Sequence, residues 1–208
     1  MTSKTIFATS RMAVLAAAVS AATLLGACAP LLVGGAMVGT ALSVTDRRTS
    51  GAQLEDQSIE LKAINRVREA AGSEANVSVT SYNRTVLITG EVPTEAARVA
   101  TEQAVARIEN VRGTVNELAV MGSTTLAARS NDAILGSKVK AAFVDANDLQ
   151  ANAFKVVAER GTIYLMGRVT EREANRATEL ARATSGVGKV VKVFEILTEA
   201  ELAALQSK

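Results

Sequence analysis

Two stretches of the sequence repeat each other, and this internal repeat restricts the chain to a duplicated fold. YNRTVLITGEVPTEA around Gly90 returns as ERGTIYLMGRVTERE around Gly167, an offset of 77 residues (167 − 90). DQSIELKAINRV returns as NDAILGSKVKAAF at an offset of 76, which pairs Ile59 with Leu135 (135 − 59), and IENVRGTVNEL returns as TSGVGKVVKVF. Self-similarity at a fixed period is typical of repeated structural units. We therefore expect two copies of one small fold.

Each copy shows the same succession of hydrophobic patterns: helix, strand, strand, helix, strand. Apolar residues first recur at helical spacing and then alternate with polar residues on both sides of a polar turn. A second helix, rich in Ala, Glu and Arg, leads to a last segment in which apolar residues alternate. In the first copy these features are the stripe Ile59, Ala63 and Val67, the hairpin residues Val77, Val79, Val86 and Ile88 around Tyr82–Thr85, the helix start at Pro93 and Thr94, and the strand Thr114–Val120.

The second copy adds sharper local signals. Arg160–Gly161 predicts a hairpin turn, and Thr170 with Glu173 three residues later predicts a capping box at the start of a helix. Gly90 and Gly167 are expected to allow close approach of a helix to a strand. The core stripe of the first helix in this copy is Leu135, Val139, Ala142 and Phe143, and the last strand is Val190–Leu197.

The fold class predicted from these patterns is α+β, with two tandem αββαβ domains after an N-terminal signal and tether. A domain of about 65–70 residues has only a marginal core. We therefore expect the two domains to pack on each other. The predicted boundaries are 1–27 for a signal peptide, 28–53 for a lipidated N-terminus and tether, 54–121 and 130–198 for the two domains, and 199–208 for a C-terminal tail.

The first 28 residues have the order of a secretory signal. Lys4 and Arg11 precede an apolar run, Met12–Leu25, that is shorter than the roughly 20 residues of a transmembrane helix. LLGACAP then places small residues before Cys28, the only cysteine of the chain, and resembles a bacterial lipobox. An ordinary secretory signal with a lone or buried cysteine is the alternative. Lipidation of Cys28 explains the unpaired cysteine best, and the residue after it resembles the outer-membrane sorting pattern.

Residues 31–45 are apolar, rich in glycine and uncharged. They fit either a tether near the membrane surface or a disordered terminus. The formal charge of +2 comes from Lys4 and Arg11 in the predicted signal, since 23 − 2 = 21 basic residues then balance 21 acidic ones. The sequence therefore gives no indication of nucleic-acid binding.

The chain has no histidine, and its one cysteine is assigned to lipid. Histidine-dependent triads, zinc sites and haem sites therefore lack their usual ligands. The carboxylates are interspersed with Arg and Lys, as on solvated helix faces. We expect a protein that is not an enzyme, with no catalytic residues, no metal and no cofactor.

The pattern of hairpin, Gly-x-Val, helix and Val-rich strand, present twice, resembles the BON domain (bacterial OsmY and nodulation). LLGACAP, SNDAILGSKVKAAF and LMGRVTEREA together resemble the dual BON-domain outer-membrane lipoproteins, over roughly residues 24–198. The resemblance implies a lipid-anchored protein of the outer membrane facing the periplasm, which binds anionic phospholipid and supports envelope integrity. A periplasmic adaptor for outer-membrane assembly or division proteins is the alternative.

The resemblance implies that lipid binds around the first helix of the second domain. On a helical wheel Ile134, Lys138 and Ala141 share a face away from the predicted core, and Lys140 lies nearby. An apolar residue beside cations suits the headgroup–acyl boundary of an anionic membrane, although a solvated helix face is the alternative. The resemblance implies an aromatic membrane anchor on this helix. This chain has Ile134 at that place and contains no Trp. The candidate phospholipid-binding residues are therefore Ile134, Lys138, Lys140 and Ala141.

Overall fold

The structure, a computed structural model, describes residues 46–206 and shows the predicted αββαβ order twice. The predicted signal peptide, Cys28 and residues 29–45 of the tether lie outside the described residues. The first domain consists of α1 (Ser50–Ala71), β1 (Asn76–Tyr82), β2 (Thr85–Val92), α2 (Glu95–Ala106) and β3 (Gly113–Val120). The second consists of α3 (Leu126–Asp145), β4 (Phe154–Glu159), β5 (Thr162–Thr170), α4 (Glu171–Ala183) and β6 (Lys189–Leu197), with a short 3-10 helix (Ala151–Ala153) before β4 and α5 (Glu199–Gln206) at the end.

Threonine caps set the starts of the two long helices, which begin four residues before the predicted domain starts. The hydroxyl of Thr49 accepts a hydrogen bond from the backbone N–H of Ala52, and that of Thr125 accepts one from Ala128. Such a cap satisfies an N–H that has no partner inside the helix. Within the predicted tail, Glu199–Gln206 is helical as α5.

Each domain contains a three-stranded sheet with its hairpin strand at one edge. The order is β1-β2-β3 in the first domain and β4-β5-β6 in the second. The hairpin strands pair antiparallel, and the last strand pairs parallel with the central strand after a helical crossover. The edge strands β1 and β4 are therefore equivalent, with Val77 opposite Gly90 and Phe154 opposite Gly167.

Each domain has its own core between the helices and one face of its sheet. The predicted helical stripes are buried, with Ala142 only partly so. A fully buried Val, Ile or Leu contributes about 1.5–3 kcal/mol to stability. The second core also contains a chain of edge-to-face aromatic rings, in which the Phe143 and Phe154 centroids lie 5.2 Å apart and those of Phe154 and Phe194 lie 5.9 Å apart.

The two central glycines allow close approach between neighbouring chain segments, and not between helix and strand as expected. A Cβ atom on Gly90 would lie 2.0 Å from the carbonyl oxygen of Asn76 in β1. One on Gly167 would lie 2.5 Å from the carbonyl oxygen of Ala153, just before β4. The hairpin partner therefore excludes a side chain at each position.

The second face of each sheet packs against the other sheet. Tyr82 and Leu87 of the first domain and Tyr164 and Met166 of the second are buried in one cluster. The Tyr164 hydroxyl also lies 3.3 Å from a carboxylate oxygen of Glu117. The two domains therefore pack on each other, as expected, and they do so sheet to sheet. The valines packed around this cluster are Val115, Val157, Val191 and Val193.

Candidate membrane-binding surface

The core contacts of α3 determine which of its residues face outward. Leu135, Val139 and Phe143 are buried against the sheet, so residues on the opposite side of the helix are directed away from the domain. Ile134 is 55% exposed, and both Lys138 and Ala141 are exposed. The structure therefore brings these three predicted residues together on one face.

Two further large apolar residues extend this face. Leu126 is 76% exposed and Val144 is 65% exposed. They lie roughly five helical turns apart and therefore point in the same direction from the axis of α3. At 100° per residue, the side chain of Ile134 is rotated by about 80° around that axis from both of them. We define the α3 outer face as Leu126, Ile134, Lys138, Ala141 and Val144. Its two ends, Leu126 and Val144, were not among the residues predicted from the sequence, although their spacing of five helical turns is visible there.

Lys140 is rotated by about 120° around α3 from Ile134 at 100° per residue, and its environment differs from that of Ile134. Its ammonium group donates hydrogen bonds to the carbonyl oxygen of Ala151 and, at 3.1 Å, to that of Phe154. Burial lowers the pKa of this half-buried amine. Lys140 therefore ties the start of β4 to α3, and it is not part of the α3 outer face.

A shallow depression of about 420 Å³ adjoins Ile134 and has two cations beside it. One is Lys138 and the other is Arg160, from the tip of the β4–β5 hairpin. Arg160 is held there by Asp132, whose carboxylate oxygens accept the backbone N–H groups of Arg160 at 2.8 Å and of Gly161 at 2.9 Å. Arg160 thus lies beside the depression, but its guanidinium is directed to the first domain, where it lies 3.9 Å from a Glu91 carboxylate oxygen and donates to the Met121 sulfur at 3.3 Å.

Asp132 has an equivalent in the first domain, and neither residue was predicted from the sequence. Asp56 accepts hydrogen bonds at 2.8 Å from the backbone N–H groups of Asn83 and Arg84, the two residues of the β1–β2 turn. All of these non-glycine turn residues have positive φ angles (49° for Asn83, 68° for Arg84 and 49° for Arg160). A carboxylate that binds the turn's N–H groups stabilises this conformation. The repeated aspartate, at an offset of 76 (132 − 56), was the available signal.

The α3 outer face is not repeated on α1. At the offset of 76, Ile134 corresponds to Ser58, Ala141 to Asn65 and Val144 to Arg68. Only Lys138 has a like residue, Lys62, which lies 3.7 Å from Glu109. The apolar part of this surface therefore belongs to the second domain alone.

The first described residues connect the chain before α1 to both domains. The Arg47 guanidinium bonds Glu173 at the start of α4, and Arg48 bonds Asp56 at 2.8 Å and stacks 4.3 Å from the ring centre of Tyr82. Burial alone would raise the pKa of Glu173, but hydrogen bonds from Arg47 and Thr170 hold it below its ordinary value. The predicted capping box of Thr170 and Glu173 is present and binds this arginine as well.

Within residues 46–206 there is no group of three or more His, Cys, Asp or Glu side chains that could hold a metal ion. None of the helices in this part of the chain is long and apolar enough to cross a membrane.

Comparisons with known proteins agree with the two-domain arrangement. The BON domain family matches residues 56–122 and 131–198. The outer membrane lipoprotein DolP of Haemophilus influenzae is 36% identical over 186 residues, which cover 88% of this chain and 95% of that protein. A 21 kDa hemolysin of Actinobacillus pleuropneumoniae is 31% identical over 151 residues, or 72% of this chain and 78% of that protein. An uncharacterized protein of Anaplasma centrale is 26% identical over 145 residues, or 69% of this chain and 95% of that protein.

Proposed function

This chain belongs to the BON domain family and is an outer-membrane lipoprotein, and from that premise we propose that it binds anionic phospholipid through the α3 outer face. In this proposal the protein is anchored through lipid on Cys28, faces the periplasm, supports outer-membrane integrity and catalyses no reaction. The observation that carries it is the exposure of Ile134 beside Lys138 on the second domain, with Ser58 at the equivalent place on the first.

The α3 outer face suits the boundary between headgroups and acyl chains. Ile134, Leu126 and Val144 can enter the apolar layer, while Lys138 stays at headgroup level. Ala141 allows close approach because its side chain is small. The proposal leaves out Lys140, since its ammonium group already bonds two carbonyl oxygens.

The binding free energy expected for the α3 outer face is small, which separates its role from that of the lipid on Cys28. Burying the exposed part of Ile134, Leu126 or Val144 stabilises by about 1 kcal/mol each, and a cation near an anionic membrane adds about 1 kcal/mol. A total of about 4 kcal/mol corresponds to a millimolar dissociation constant. The lipid on Cys28 would therefore keep the protein at the membrane, and the α3 outer face would orient the domains on it.

Vesicle binding by protein without residues 1–28 tests this surface. With millimolar lipid, sedimentation should be stronger for phosphatidylglycerol vesicles than for phosphatidylcholine vesicles. Ile134→Asp should weaken binding about tenfold, and Ile134→Trp should strengthen it because Trp prefers the interface. The matched control is Ser58→Asp at the equivalent position of α1. Equal losses from Ile134→Asp and Ser58→Asp would refute the assignment to α3.

Salt dependence tests the charge. Lys138→Glu should weaken binding more at low salt than at high salt, because exposed charges are screened over roughly 10 Å at 0.1 M. Lys62→Glu is the matched reversal in the first domain and should change binding little. Equal binding to both kinds of vesicle would contradict a role for anionic headgroups.

A second function, as a periplasmic adaptor for envelope assembly or division proteins, is favoured by a separate observation. The first domain has an open apolar groove between α1 and β1, and no residue of the α3 outer face lines it.

A further inference from the structure

The groove of the first domain lies between α1 and the edge strand β1 and has a volume of about 870 Å³. Leu61, Ile64 and Val67 line its helical side, and Val77 and Val79 line its strand side. Leu61 is 67% exposed and Ile64 is 53% exposed. Two large apolar side chains therefore face solvent directly beside a sheet edge.

The strand side of the groove presents backbone groups that need partners. The β1–β2 hairpin is closed by Tyr82 opposite Thr85. In such a hairpin every second residue of β1 forms hydrogen bonds with β2. The residues between them direct their N–H and C=O groups away from β2, towards the open edge of the sheet. Ser81 shows this direction, because its N–H donates to Glu60 at 2.8 Å and its C=O accepts from Lys155 at 3.4 Å. Val77 and Val79 have the same outward direction, and within residues 46–206 their outward groups have no such partner.

The second domain shows how the same edge is closed. Lys140 stands at the position of Ile64 and Phe154 at the position of Val77. The Lys140 ammonium donates to the outward carbonyl of Phe154. The corresponding depression has about half the volume, about 440 Å³, and Ser137 replaces Leu61 there. A lysine at a sheet edge is a common protection against strand addition. On β1, Lys155 reaches the carbonyl of Ser81, but within the described residues no lysine bonds Val77 or Val79.

We infer that the groove between α1 and β1 binds an extended segment of a partner protein, which joins the sheet as a fourth strand beside β1. Its backbone would bond the outward groups of Val77 and Val79, and alternate apolar side chains would pack on Leu61 and Ile64. An acyl chain would fill the same space but would leave those backbone groups unpaired, which is costly. The edge therefore favours a polypeptide.

Charge indicates one further feature of the partner segment. Arg68 lines the groove near its Gly72 end, and within the described residues its guanidinium has no carboxylate partner. Towards the other end, Glu60 is already paired with Lys155 at 3.0 Å. A segment with an acidic residue near the Arg68 end would therefore complement the groove.

The test uses the full lipidated chain in phosphatidylcholine vesicles and two fluorescent nonapeptides of alternating threonine and valine, with aspartate at the amino end or at the carboxyl end. At least one peptide should bind, as measured by anisotropy. Ile64→Lys, which copies Lys140, should weaken binding by about tenfold or more. N-methylation of alternate peptide residues in one register should abolish binding, because it removes the N–H groups that reach β1.

The controls separate this proposal from lipid binding by α3. Ile134→Asp should leave peptide binding unchanged, and Ile64→Lys should leave vesicle binding by protein without residues 1–28 unchanged. Ile64 is exposed, so thermal unfolding should show that its lysine variant folds normally. The proposal is wrong if neither peptide binds, if Ile64→Lys binds equally well, or if the N-methylated peptides bind equally well. Binding of dodecanoate that is lost in Ile64→Lys, without peptide binding, would instead identify an acyl site.

Discussion

Arg47 and Glu173, 126 residues apart in the chain, form a buried pair in which each of two guanidinium nitrogens lies 2.7 Å from a carboxylate oxygen. Each side chain is only 5% exposed. The same guanidinium donates to the carbonyl oxygen of Arg168 at 2.9 Å. The chain just before α1 is therefore fixed to the second domain, although α1 itself belongs to the first.

Removing Arg47 should destabilise the protein strongly. Arg47→Ala leaves the Glu173 carboxylate buried without its cation, and we expect a loss of roughly 3–5 kcal/mol in the free energy of unfolding. Urea denaturation measures this loss. Arg98→Ala is the control, because Arg98 pairs with Glu95 on an exposed helix face and its removal should change the free energy of unfolding little. Similar losses from the two variants would contradict the buried role of Arg47.

Acid should weaken the first domain through Asp56. Burial would raise the pKa of this carboxyl, but hydrogen bonds from Ser81, Arg84, Arg48 and Asn83 hold it below its ordinary value of 3.8. A depressed folded-state pKa gives stability that is present above the unfolded value and is lost as pH falls through the folded value. Asp56→Asn should therefore be less stable at pH 7, and the difference from the unmodified protein should shrink below about pH 4. Urea titrations at several pH values test this.

Glu159 should behave in the opposite way. Burial, followed by the charges of Glu91 and Asp132, raises the pKa of its carboxyl, and one of its oxygens is buried without a hydrogen bond. A raised folded-state pKa means that ionisation at neutral pH costs stability, and that this cost disappears as pH falls through the folded and then the unfolded value. Glu159→Gln should thus raise the melting temperature at pH 7 and have little effect near pH 4. A lower melting temperature at pH 7 would contradict this.

Charges placed in the two cores should unfold the protein. Val86 and Ile163 are both 0% exposed and occupy equivalent positions on β2 and β5. A buried, unpaired carboxylate costs several kcal/mol, so Val86→Asp and Ile163→Asp should each abolish cooperative unfolding of their own domain. Circular dichroism melts, with Arg98→Ala as the surface control, show the difference. A normal melt for either core variant would mean that its strand is not part of a packed core.

Lipidation of Cys28 is predicted from the sequence and is tested by mass spectrometry. Protein extracted from membranes should lack residues 1–27 and carry the added mass of several acyl chains on its first residue. Cys28→Ser should remain unlipidated and should not fractionate with the outer membrane. A free thiol at Cys28 in the unmodified protein would refute the prediction.

The fold could be predicted because its signals are local and occur twice. Alternation set the hairpins, helical spacing set the buried stripes, and Thr170 with Glu173 set the start of a helix. The lipid-binding candidates were harder because Lys138 and Lys140 look alike in the sequence. Only the structure shows that Lys140 meets carbonyl oxygens before β4, whereas Lys138 remains at the surface.

Long-range pairs had no detectable signal. Arg47 lies in a short polar segment whose partner is 126 residues away, and nothing in its neighbourhood predicts burial. Arg160 was assigned correctly to a turn, but its position beside Ile134 depends on how Asp132 holds that turn.

The sheet-to-sheet cluster gives this chain the character of a dimer made within one polypeptide. Leu87 and Tyr164 occupy equivalent positions on β2 and β5 and meet in the same contact, much as matching patches do across a two-fold axis. Covalent linkage makes such pairing independent of protein concentration, because the linker keeps the halves at an effective concentration in the millimolar range. The two domains would therefore stay packed on each other even when the protein is scarce. Substitutions could then change the outer surface of one domain while the other domain continues to cover its sheet.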